Sequence, residues 1–210
     1  MASETEIKLR IADSKEFLRK LKRLGAKADS AGDARVHEWN VIFDTPDGGL
    51  AKHGQLLRIR TETRRATAKS KKARDWTRSV LTFKRPAENA NPGRHKVREE
   101  FEMEVGDTAT LTKIFEGLGM RGWFRYEKFR TTFQLPAKTL WAKGLLIEMD
   151  ETPVGMFVEL EGPADAIDKA AELLGFTQKD YVLKNYLTLY IEDCRHRGEQ
   201  PSDMVFRKNT

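Results

Sequence analysis

The segment "ETEIKLRI", residues 4–11, decides the fold because it separates charged from apolar side chains at every second position. One parity carries charges of both signs and the other is mainly aliphatic: Glu4, Glu6, Lys8 and Arg10 against Thr5, Ile7, Leu9 and Ile11. Successive side chains of a β-strand point to opposite faces, so the segment predicts a strand with one apolar and one fully charged face. A charged face usually meets water, and the rest of the chain indicates whether this one does.

The same two-residue period returns along the chain and predicts about eight strands, mostly antiparallel. The further strands are expected in "VHEWNVIFDT", "QLLRIRTE", "SVLTFKRP", "KVREEFEMEV", "WFRYEKFRTTFQL" and the two arms of the hairpin "GLLIEMDETPVGMFVELEG". Apolar residues at helical spacing predict helices in "DSKEFLRKLKRLGA", "DTATLTKIFEGLG", "ADAIDKAAELLG" and "KDYVLKNYLTLYIEDC". The pattern indicates an α+β protein, and a closed sheet is the economical arrangement because it leaves no exposed strand edge.

The charges on these strands are sorted by sign. Some strands present only cations and others mainly carboxylates: Arg58, Arg60, Lys84, Lys128 and Arg130 against Glu100, Glu102, Asp150, Glu159 and Glu161. The opposite parity is apolar nearly everywhere, and amphipathic helices are available to cover it. We therefore expect a β-barrel whose charged faces converge on its interior, which must hold water, ions and a ligand.

A charged interior of this kind fits a metal-bound polyphosphate. Clustered carboxylate oxygens suit a hard cation such as Mg²⁺ or Mn²⁺. Clustered lysines and arginines suit the oxygens of a phosphate chain. Neither cluster tolerates burial without its counter-ions, so the two are expected to occur together.

The composition limits the class of protein. The 210 residues carry a formal net charge of +6, which is compatible with nucleic acid, a phosphorylated small molecule or an acidic membrane as partner. The single cysteine, Cys194, excludes an intramolecular disulfide and fits a reducing compartment. The N-terminus lacks the apolar core of a signal peptide, and no run approaches the roughly 18 apolar residues of a transmembrane helix. We expect a soluble cytoplasmic protein without a membrane partner.

These segments resemble the CYTH superfamily, whose members are also called triphosphate tunnel metalloenzymes. The stretch "ETEIKLR" looks like the family's E-x-E-x-K signature, and later pieces follow in the family's order: "LLRIR", "LTFKRP", "VREEFE", "EKFRTTF", "IEMDETPVGMFVELEG" and "LKNYLTL". The resemblance implies an eight-stranded antiparallel β-barrel, the triphosphate tunnel, with helices packed on the outside. We expect this domain to span residues 1–195 and to be followed by a C-terminal tail at residues 196–210.

The resemblance also implies roles for individual side chains. The residues that match the family's phosphate-binding cations are Lys8, Arg58, Arg60, Lys84, Arg98, Lys128 and Arg130. The residues that match its ligands for Mg²⁺ or Mn²⁺ are Glu4, Glu6, Glu159 and Glu161. Glu100 and Glu102 would hold a second metal or position the nucleophile, and Asp150 matches a further acidic position of the tunnel. These last three are the catalytic candidates.

Two segments depart from the family pattern. Asn185 stands in "KNY" where many members have serine, so a helix contact near the tunnel mouth is expected to change. The basic segment from Arg64 to Arg78 matches nothing in the family and is expected to form a mobile loop or a frayed helix.

The implied function is a metal-dependent enzyme that acts on a triphosphate-bearing small molecule. Hydrolysis of inorganic triphosphate, thiamine triphosphate or a nucleotide is narrowly preferred. Class IV adenylate cyclase activity, which forms cyclic AMP and pyrophosphate from ATP, is the alternative reaction. A non-catalytic module that binds polyphosphate or RNA is the alternative of another class, and the inward carboxylates oppose it because they would repel a nucleic-acid backbone. A homodimer is left open.

Overall fold

The computed structural model of the protein describes residues 2–28, 35–65, 74–87 and 93–207. The strands within these ranges are β1 (Ala2–Ile11), β2 (Lys27–Ala28), β3 (Arg35–Asp44), β4 (Leu56–Arg64), β5 (Trp76–Pro86), β6 (Lys96–Glu104), β7 (Arg121–Gln134), β8 (Leu146–Thr152) and β9 (Gly155–Glu161). The helices are α1 (Ser14–Arg23), α2 (Gly49–Lys52), α3 (Thr108–Gly117), α4 (Ala164–Leu173) and α5 (Tyr186–Arg197), with 3₁₀ turns at Leu140–Ala142 and Gln178–Asp180. None of these helices is long and apolar enough to span a membrane.

Eight of the strands close into a barrel. Their order is β7-β3-β4-β5-β6-β1-β9-β8, and β8 pairs with β7 to complete the ring. Each of these pairings is antiparallel. The predicted eight-stranded antiparallel barrel with helices outside is therefore confirmed. The ninth strand, β2, pairs two residues with the end of β7 and is too short to leave an alternating pattern in the sequence.

The apolar outer face of the barrel is covered mainly by α1 and α4. Ile7 and Leu9 of β1 are almost fully buried and pack with Phe17 of α1 and Ile167 of α4. Helix α1 begins after Asp13, whose carboxylate accepts two backbone N–H groups of the first turn. This packing fixes the register of β1 and turns its charged parity toward the barrel interior.

One end of the barrel interior is apolar and is covered by α5. Phe157 shares its parity with Glu159 and Glu161, yet it is fully buried against the ring of Tyr186, with 5.5 Å between the centroids. Inward residues of β3 and β7 and further residues of α5 join this cluster: Ile42, Phe124, Tyr126, Leu189 and Tyr190. The expectation that only charged faces line the interior is wrong at this end, because α5 supplies apolar partners to the inward side chains.

Helix α5 begins later than the sequence pattern predicts. The expected helical start at Lys179 is a 3₁₀ turn, followed by extended chain in which Val182 pairs with the backbone of Lys8. Asn185 is the N-cap, and its side-chain oxygen accepts the backbone N–H of Thr188 at 2.8 Å. Asparagine is a preferred N-cap residue, so the departure from the family pattern at this position is a helix-capping contact.

The C-terminal tail packs along β7 where β8 does not reach. Strand β8 pairs only with residues 129–133 of β7. The residues of β7 that precede this pairing contact the tail instead. Met204 accepts a backbone hydrogen bond from Glu127 and donates one to Arg125. Met204 is fully buried in the cluster around α5, and the ring of Phe206 lies 5.4 Å from that of Phe129. No periodicity in the sequence predicts this packing, since a single buried methionine carries most of it.

We expect Met204→Ala to lower the free energy of unfolding by about 2–4 kcal/mol, because truncating a fully buried side chain leaves a cavity. Chemical denaturation followed by circular dichroism measures this difference. The matched control is Met103→Ala, at a methionine of β6 that is 61% exposed, and it should change stability by less than about 0.5 kcal/mol. Equal losses in the two variants would contradict the docked tail.

The basic segment from Arg64 to Arg78 is partly strand. Arg64 ends β4 and Trp76 begins β5, and the two residues are directly paired. The prediction of a mobile loop therefore does not hold at either end of the segment. Residues 66–73, on which the rest of that prediction falls, lie outside the described residues.

Candidate active site

The barrel encloses a cavity of about 590 Å³ to which all eight of its strands contribute side chains. The predicted site residues that line it are Glu4, Glu6, Lys8, Arg58, Arg60, Lys84, Arg98, Glu100, Glu102, Lys128, Arg130, Glu159 and Glu161. They meet because the inward parity continues from strand to strand. Glu4 is paired with Arg98 of β6, and Lys8 is paired with Glu159 of β9.

Arg130 of β7 lies at the centre of the most buried ion-pair network. Its guanidinium donates two hydrogen bonds of 2.7 Å to Asp150 and one each to Glu148 and Glu159. Burial would lower the pKa of Arg130, but these carboxylates, Asp150 foremost, raise it well above its ordinary value. The cation is therefore held by three carboxylates before any ligand arrives.

Asp150 lies behind the cavity wall. Its carboxylate is fully buried and accepts hydrogen bonds from Arg130, from Lys128 at 2.8 Å and from the hydroxyl of Tyr186 at 2.7 Å. A carboxylate with this many donors has little capacity left for a substrate or a water molecule. The geometry therefore favours a positioning role for Asp150, which anchors two cations, over the predicted catalytic one.

Lys8 is held between two of the predicted metal ligands. Its ammonium lies 3.0 Å from Glu159 and 3.5 Å from Glu6, and Lys96 lies 2.7 Å from Glu6. Burial would raise the pKa of Glu6, but Lys8 and Lys96 lower it to about 2. Burial likewise opposes the ionisation of Glu159, whose pKa Lys8 and Arg130 lower well below its ordinary value. In this arrangement Glu6 and Glu159 serve as counter-ions for the cations of the protein.

Glu4, a third predicted metal ligand, is ion-paired with Lys84. The ammonium of Lys84 donates to both oxygens of Glu4, at 2.7 and 2.6 Å, and lies 3.0 Å from Glu100. Burial raises the pKa of Glu100. Arg98 lines the same side of the cavity, and its Nε has no hydrogen-bond partner among the described residues. This side of the cavity therefore offers cations that a phosphate could recruit.

Glu161, the fourth predicted metal ligand, differs in its contacts from Glu4, Glu6 and Glu159. Within the described ranges, no hydrogen bond or ion pair reaches its carboxylate. Burial raises the pKa of Glu161 to about 8, and the carboxylates of Glu148 and Glu4 add to the effect. Burial also raises the pKa of Glu148. This corner of the cavity is short of positive charge.

The divalent metal that the fold implies fits these donors chemically, after an exchange of partners. In the described part of the chain, no three acidic, histidine or cysteine side chains are arranged to bind one ion as they stand. Lys84 instead holds Glu4, and Lys96 holds Glu6. The donor set is nevertheless all carboxylate, which suits Mg²⁺ or Mn²⁺, and Glu161 is not engaged in an ion pair with any described residue.

Another part of the cavity wall is formed by β4 together with neighbouring residues of β5, β6 and β7. Arg58 donates to the hydroxyl of Tyr126 at 3.1 Å and to that of Thr82 at 3.2 Å, while Arg60 donates to Glu102 at 3.3 Å. Burial would raise the pKa of Glu102, but the hydroxyl of Thr82 and the charge of Arg60 lower it. Two arginines thus sit on adjacent inward positions of one strand, roughly 7 Å apart along it, so both guanidinium groups can reach the same phosphate chain.

Several cavity residues were not predicted, although strand parity points to them. They continue the inward parity of the predicted residues: Glu38, Glu62, Arg64, Arg78, Lys96 and Glu148. Glu38 is only 2% exposed, and Lys128 and Arg130 lower its pKa to about 2 against the effect of burial. Extending the alternation to the end of each strand would have found Glu62, which lies two residues beyond Arg60.

Comparison with known proteins supports the fold. The sequence model of the CYTH domain matches residues 2–204. No curated protein sequence matches the chain significantly. The PH1819 protein of Pyrococcus horikoshii OT3 is 20% identical, with a TM-score of 0.67 over 91% of this chain and 98% of that chain.

Two further similar structures carry names that mention an activity. A provisionally assigned adenylate cyclase of Vibrio parahaemolyticus is 16% identical, with a TM-score of 0.64 over 89% of this chain and 96% of that chain. A Hippeastrum protein, provisionally assigned as an adenylyl cyclase and described as having a dominant triphosphatase activity, is 20% identical, with a TM-score of 0.53 over 94% and 97% of the two chains. These identities show a shared fold alone. The domain match, however, spans nearly the whole sequence, and the chain therefore belongs to the CYTH domain family.

Proposed function

We propose that the protein is a divalent-metal-dependent enzyme that binds a triphosphate inside the barrel and hydrolyses it. The observation that carries the proposal is the single cavity on which cations and carboxylates from all eight barrel strands converge. Members of the CYTH family act on triphosphate substrates, and the similar Hippeastrum protein is described as having a dominant triphosphatase activity. A triphosphate with its metal matches both halves of this charge set.

The cations of the cavity would bind the phosphate chain by exchanging partners. Lys84 forms an ion pair with Glu4, and Arg60 forms one with Glu102. When a triphosphate enters, these cations turn to its oxygens, and the carboxylates they leave become available to the metal. The exchange keeps every buried charge paired, which is the condition for burying charges at all. The proposed metal ligands are Glu4, Glu6, Glu159 and Glu161, the last of which needs no exchange.

A bound divalent cation supplies charge neutralisation and polarises phosphoryl oxygens. The side chains of the protein position the triphosphate. Arg58, Arg60 and Arg98 hold the chain of phosphates, while Asp150 keeps Lys128 and Arg130 oriented from behind the wall. Glu100 has the raised pKa that suits a group accepting the proton of an attacking water, and Glu102 lies two residues along the same face.

Adenylate cyclase activity is the second candidate because one end of the cavity is apolar. Leu56, Trp123 and Leu187 line this end, and Trp123 is 45% exposed. Such a surface can accept an organic group attached to the triphosphate. If that group is adenosine, a ribose hydroxyl could replace water as the nucleophile, with the same cations around the phosphates.

A binding module without turnover is the weaker alternative. The net charge of +6 would favour a polyanion. The carboxylates of the cavity oppose it, however, because Glu4, Glu100 and Glu161 would repel a phosphate chain that arrives without metal.

To test the proposal, the protein is incubated with tripolyphosphate, thiamine triphosphate or ATP in the presence of Mg²⁺ or Mn²⁺. The release of phosphate, pyrophosphate and cyclic AMP is measured in parallel. We expect phosphate release that requires added metal and stops in excess chelator. Equal amounts of cyclic AMP and pyrophosphate would select the cyclase instead. Binding of tripolyphosphate without any product would select the binding module, and full turnover in excess chelator would reject the metal-dependent site.

Two variants control this screen for contaminating phosphatases. Glu4→Gln removes a proposed metal ligand and should lose roughly 100-fold or more of the turnover. Glu104→Gln alters a glutamate of β6 whose side chain is 77% exposed and should retain it.

A further inference from the structure

Asn40 has a buried side-chain amide that makes no hydrogen bond with any of the described residues. It lies in the middle of β3 with 0% exposure, and both its Oδ1 and its Nδ2 are without a partner in this part of the chain. It shares its parity with Glu38 and Ile42, both of which line the cavity, so it lies on the inward face of β3 without being a lining residue itself. Burying an unpaired amide is costly, and a bound state in which the amide is paired would offset that cost.

The neighbours of Asn40 carry complementary unused groups. Asn40 is paired across strands with Arg60 of β4. The Nε of Arg60 is a buried donor for which the described part of the chain offers no well-aligned hydrogen bond, although it lies 3.0 Å from an oxygen of Glu62. Oε2 of Glu38, two residues along the same face of β3, is a buried acceptor that makes no hydrogen bond within the described ranges, although it lies 3.5 Å from Nζ of Lys128. The cross-strand partner of Asn40 and its neighbour on β3 therefore carry one donor and one acceptor that make no hydrogen bond.

The carboxylates around Arg60 explain why its Nε does not donate to Asn40. Arg60 is drawn toward Glu62 and Glu102, which are its ion-pair partners. A phosphate chain in the cavity would repel both carboxylates and attract the terminal nitrogens of Arg60. The guanidinium must then turn, and its Nε needs a new acceptor. The carbonyl oxygen of Asn40, on the paired residue of the next strand, is the nearest unused one by register.

We propose that Asn40 is a positioning residue for Arg60 in the triphosphate-bound state, an inference that rests on the proposed function. In that state Oδ1 of Asn40 accepts the Nε–H of Arg60, and Nδ2 of Asn40 donates to Oε2 of Glu38. The terminal nitrogens of Arg60 are thereby aimed at a phosphate. Asn40 does not itself line the cavity, so it acts on the substrate through Arg60.

The test uses Asn40→Leu, which replaces the amide by an apolar group of the same number of heavy atoms. Loss of the unpaired amide should raise the melting temperature of the empty protein by roughly 2–5 °C. Loss of the acceptor for Arg60 should weaken binding of imidotriphosphate, in which NH replaces the bridging oxygens, by roughly 10- to 100-fold, as for other residues that orient a primary ligand. Calorimetry with Mg²⁺ present measures the affinity.

Two controls separate positioning from a merely structural role. Thr82→Val removes a fully buried hydroxyl that is hydrogen-bonded to Arg58 and Glu102, so the melting temperature should fall. In an Arg60→Ala background, Asn40→Leu should cost no further affinity, because the residue through which it acts is gone. Asn40→Val is the second variant in case leucine does not fit.

The outcomes distinguish this proposal from the function on which it rests. If the wild-type protein binds imidotriphosphate and both Asn40 variants bind it equally well, the positioning role is overturned and the proposed function stands. Additive losses for Asn40→Leu and Arg60→Ala also overturn it, and so does a lower melting temperature in both Asn40 variants. If the wild-type protein does not bind the analogue, both proposals fall together.

Discussion

Arg130→Ala is expected to lower the free energy of unfolding by about 3–5 kcal/mol and to abolish triphosphate binding. The guanidinium pairs with Asp150, Glu148 and Glu159, all of which are almost fully buried. Without it, Asp150 keeps Lys128 and Glu159 keeps Lys8, but Glu148 has no other ion pair among the described residues. Three buried carboxylates then share two lysines in a region of low dielectric, where their repulsion is costly. Denaturation in the absence of metal measures the stability, and calorimetry with imidotriphosphate measures the binding.

Arg60→Ala is the matched control for this prediction. Its partners keep other contacts, since Arg78 still binds Glu62 and a threonine hydroxyl still donates to Glu102. The stability loss should therefore be only about 1–2 kcal/mol, while binding is still weakened. Equal stability losses in the two variants would contradict the central place given to Arg130. Unchanged triphosphate binding in both variants would show that Arg60 and Arg130 do not belong to the binding site.

Strand alternation predicts the cavity wall because side-chain direction in a strand has a fixed period of two. Once the helices cover Ile7 and Leu9 of β1, Lys8 between them must face the interior. The same reasoning places Arg58 and Arg60 of β4 on the cavity without any knowledge of their partners. The barrel itself follows from the number of such strands and from the cost of leaving a strand edge open.

The partners of these side chains could not be predicted, because they depend on distances between strands and helices remote in sequence. Glu148 and Asp150 share a residue class, a strand and a parity. Glu148 lines the cavity, whereas Asp150 is sealed beneath Arg130 and Tyr186. The hydroxyl of Tyr186 comes from α5, 36 residues further along the chain. Nothing local to β8 indicates which of its two acidic residues that helix will cover.

The apolar end of the barrel shows the same dependence on a remote element. Phe157 alternates with Glu159 and Glu161, and on parity alone it counts as a lining residue of the charged tunnel. Helix α5 and the tail around Met204 turn this end into core. The tail is invisible to periodicity because it contributes one buried side chain and a short stretch of backbone pairing.

Glu161→Gln is expected to abolish metal-dependent turnover while making the metal-free protein more stable. The carboxylate is a proposed metal ligand, and losing it should reduce turnover by roughly 100-fold or more. In the absence of metal it makes no ion pair among the described residues, and burial together with Glu148 and Glu4 raises its pKa to about 8 against the opposing charge of Lys84. Glutamine removes that repulsion. Turnover with Mg²⁺ or Mn²⁺ and denaturation in excess chelator measure the two effects.

The stability difference between Glu161→Gln and the wild type should depend on pH in a definite direction, which a general change of packing would not produce. The pKa of Glu161 is about 8 in the folded protein against an ordinary value of 4.5, so the folded state binds the proton more tightly. Stability of the metal-free wild type should therefore fall as pH rises between these two values, and this contribution is absent in Glu161→Gln. The stability advantage of the variant should accordingly be larger at pH 8 than at pH 5. Glu159→Gln is the contrast, because removing a carboxylate that Lys8 and Arg130 hold should destabilise the protein. If Glu161→Gln turns over triphosphate at the wild-type rate, Glu161 is not a metal ligand. If the stability advantage of the variant does not grow with pH, the charge deficit assigned to this corner of the cavity is wrong.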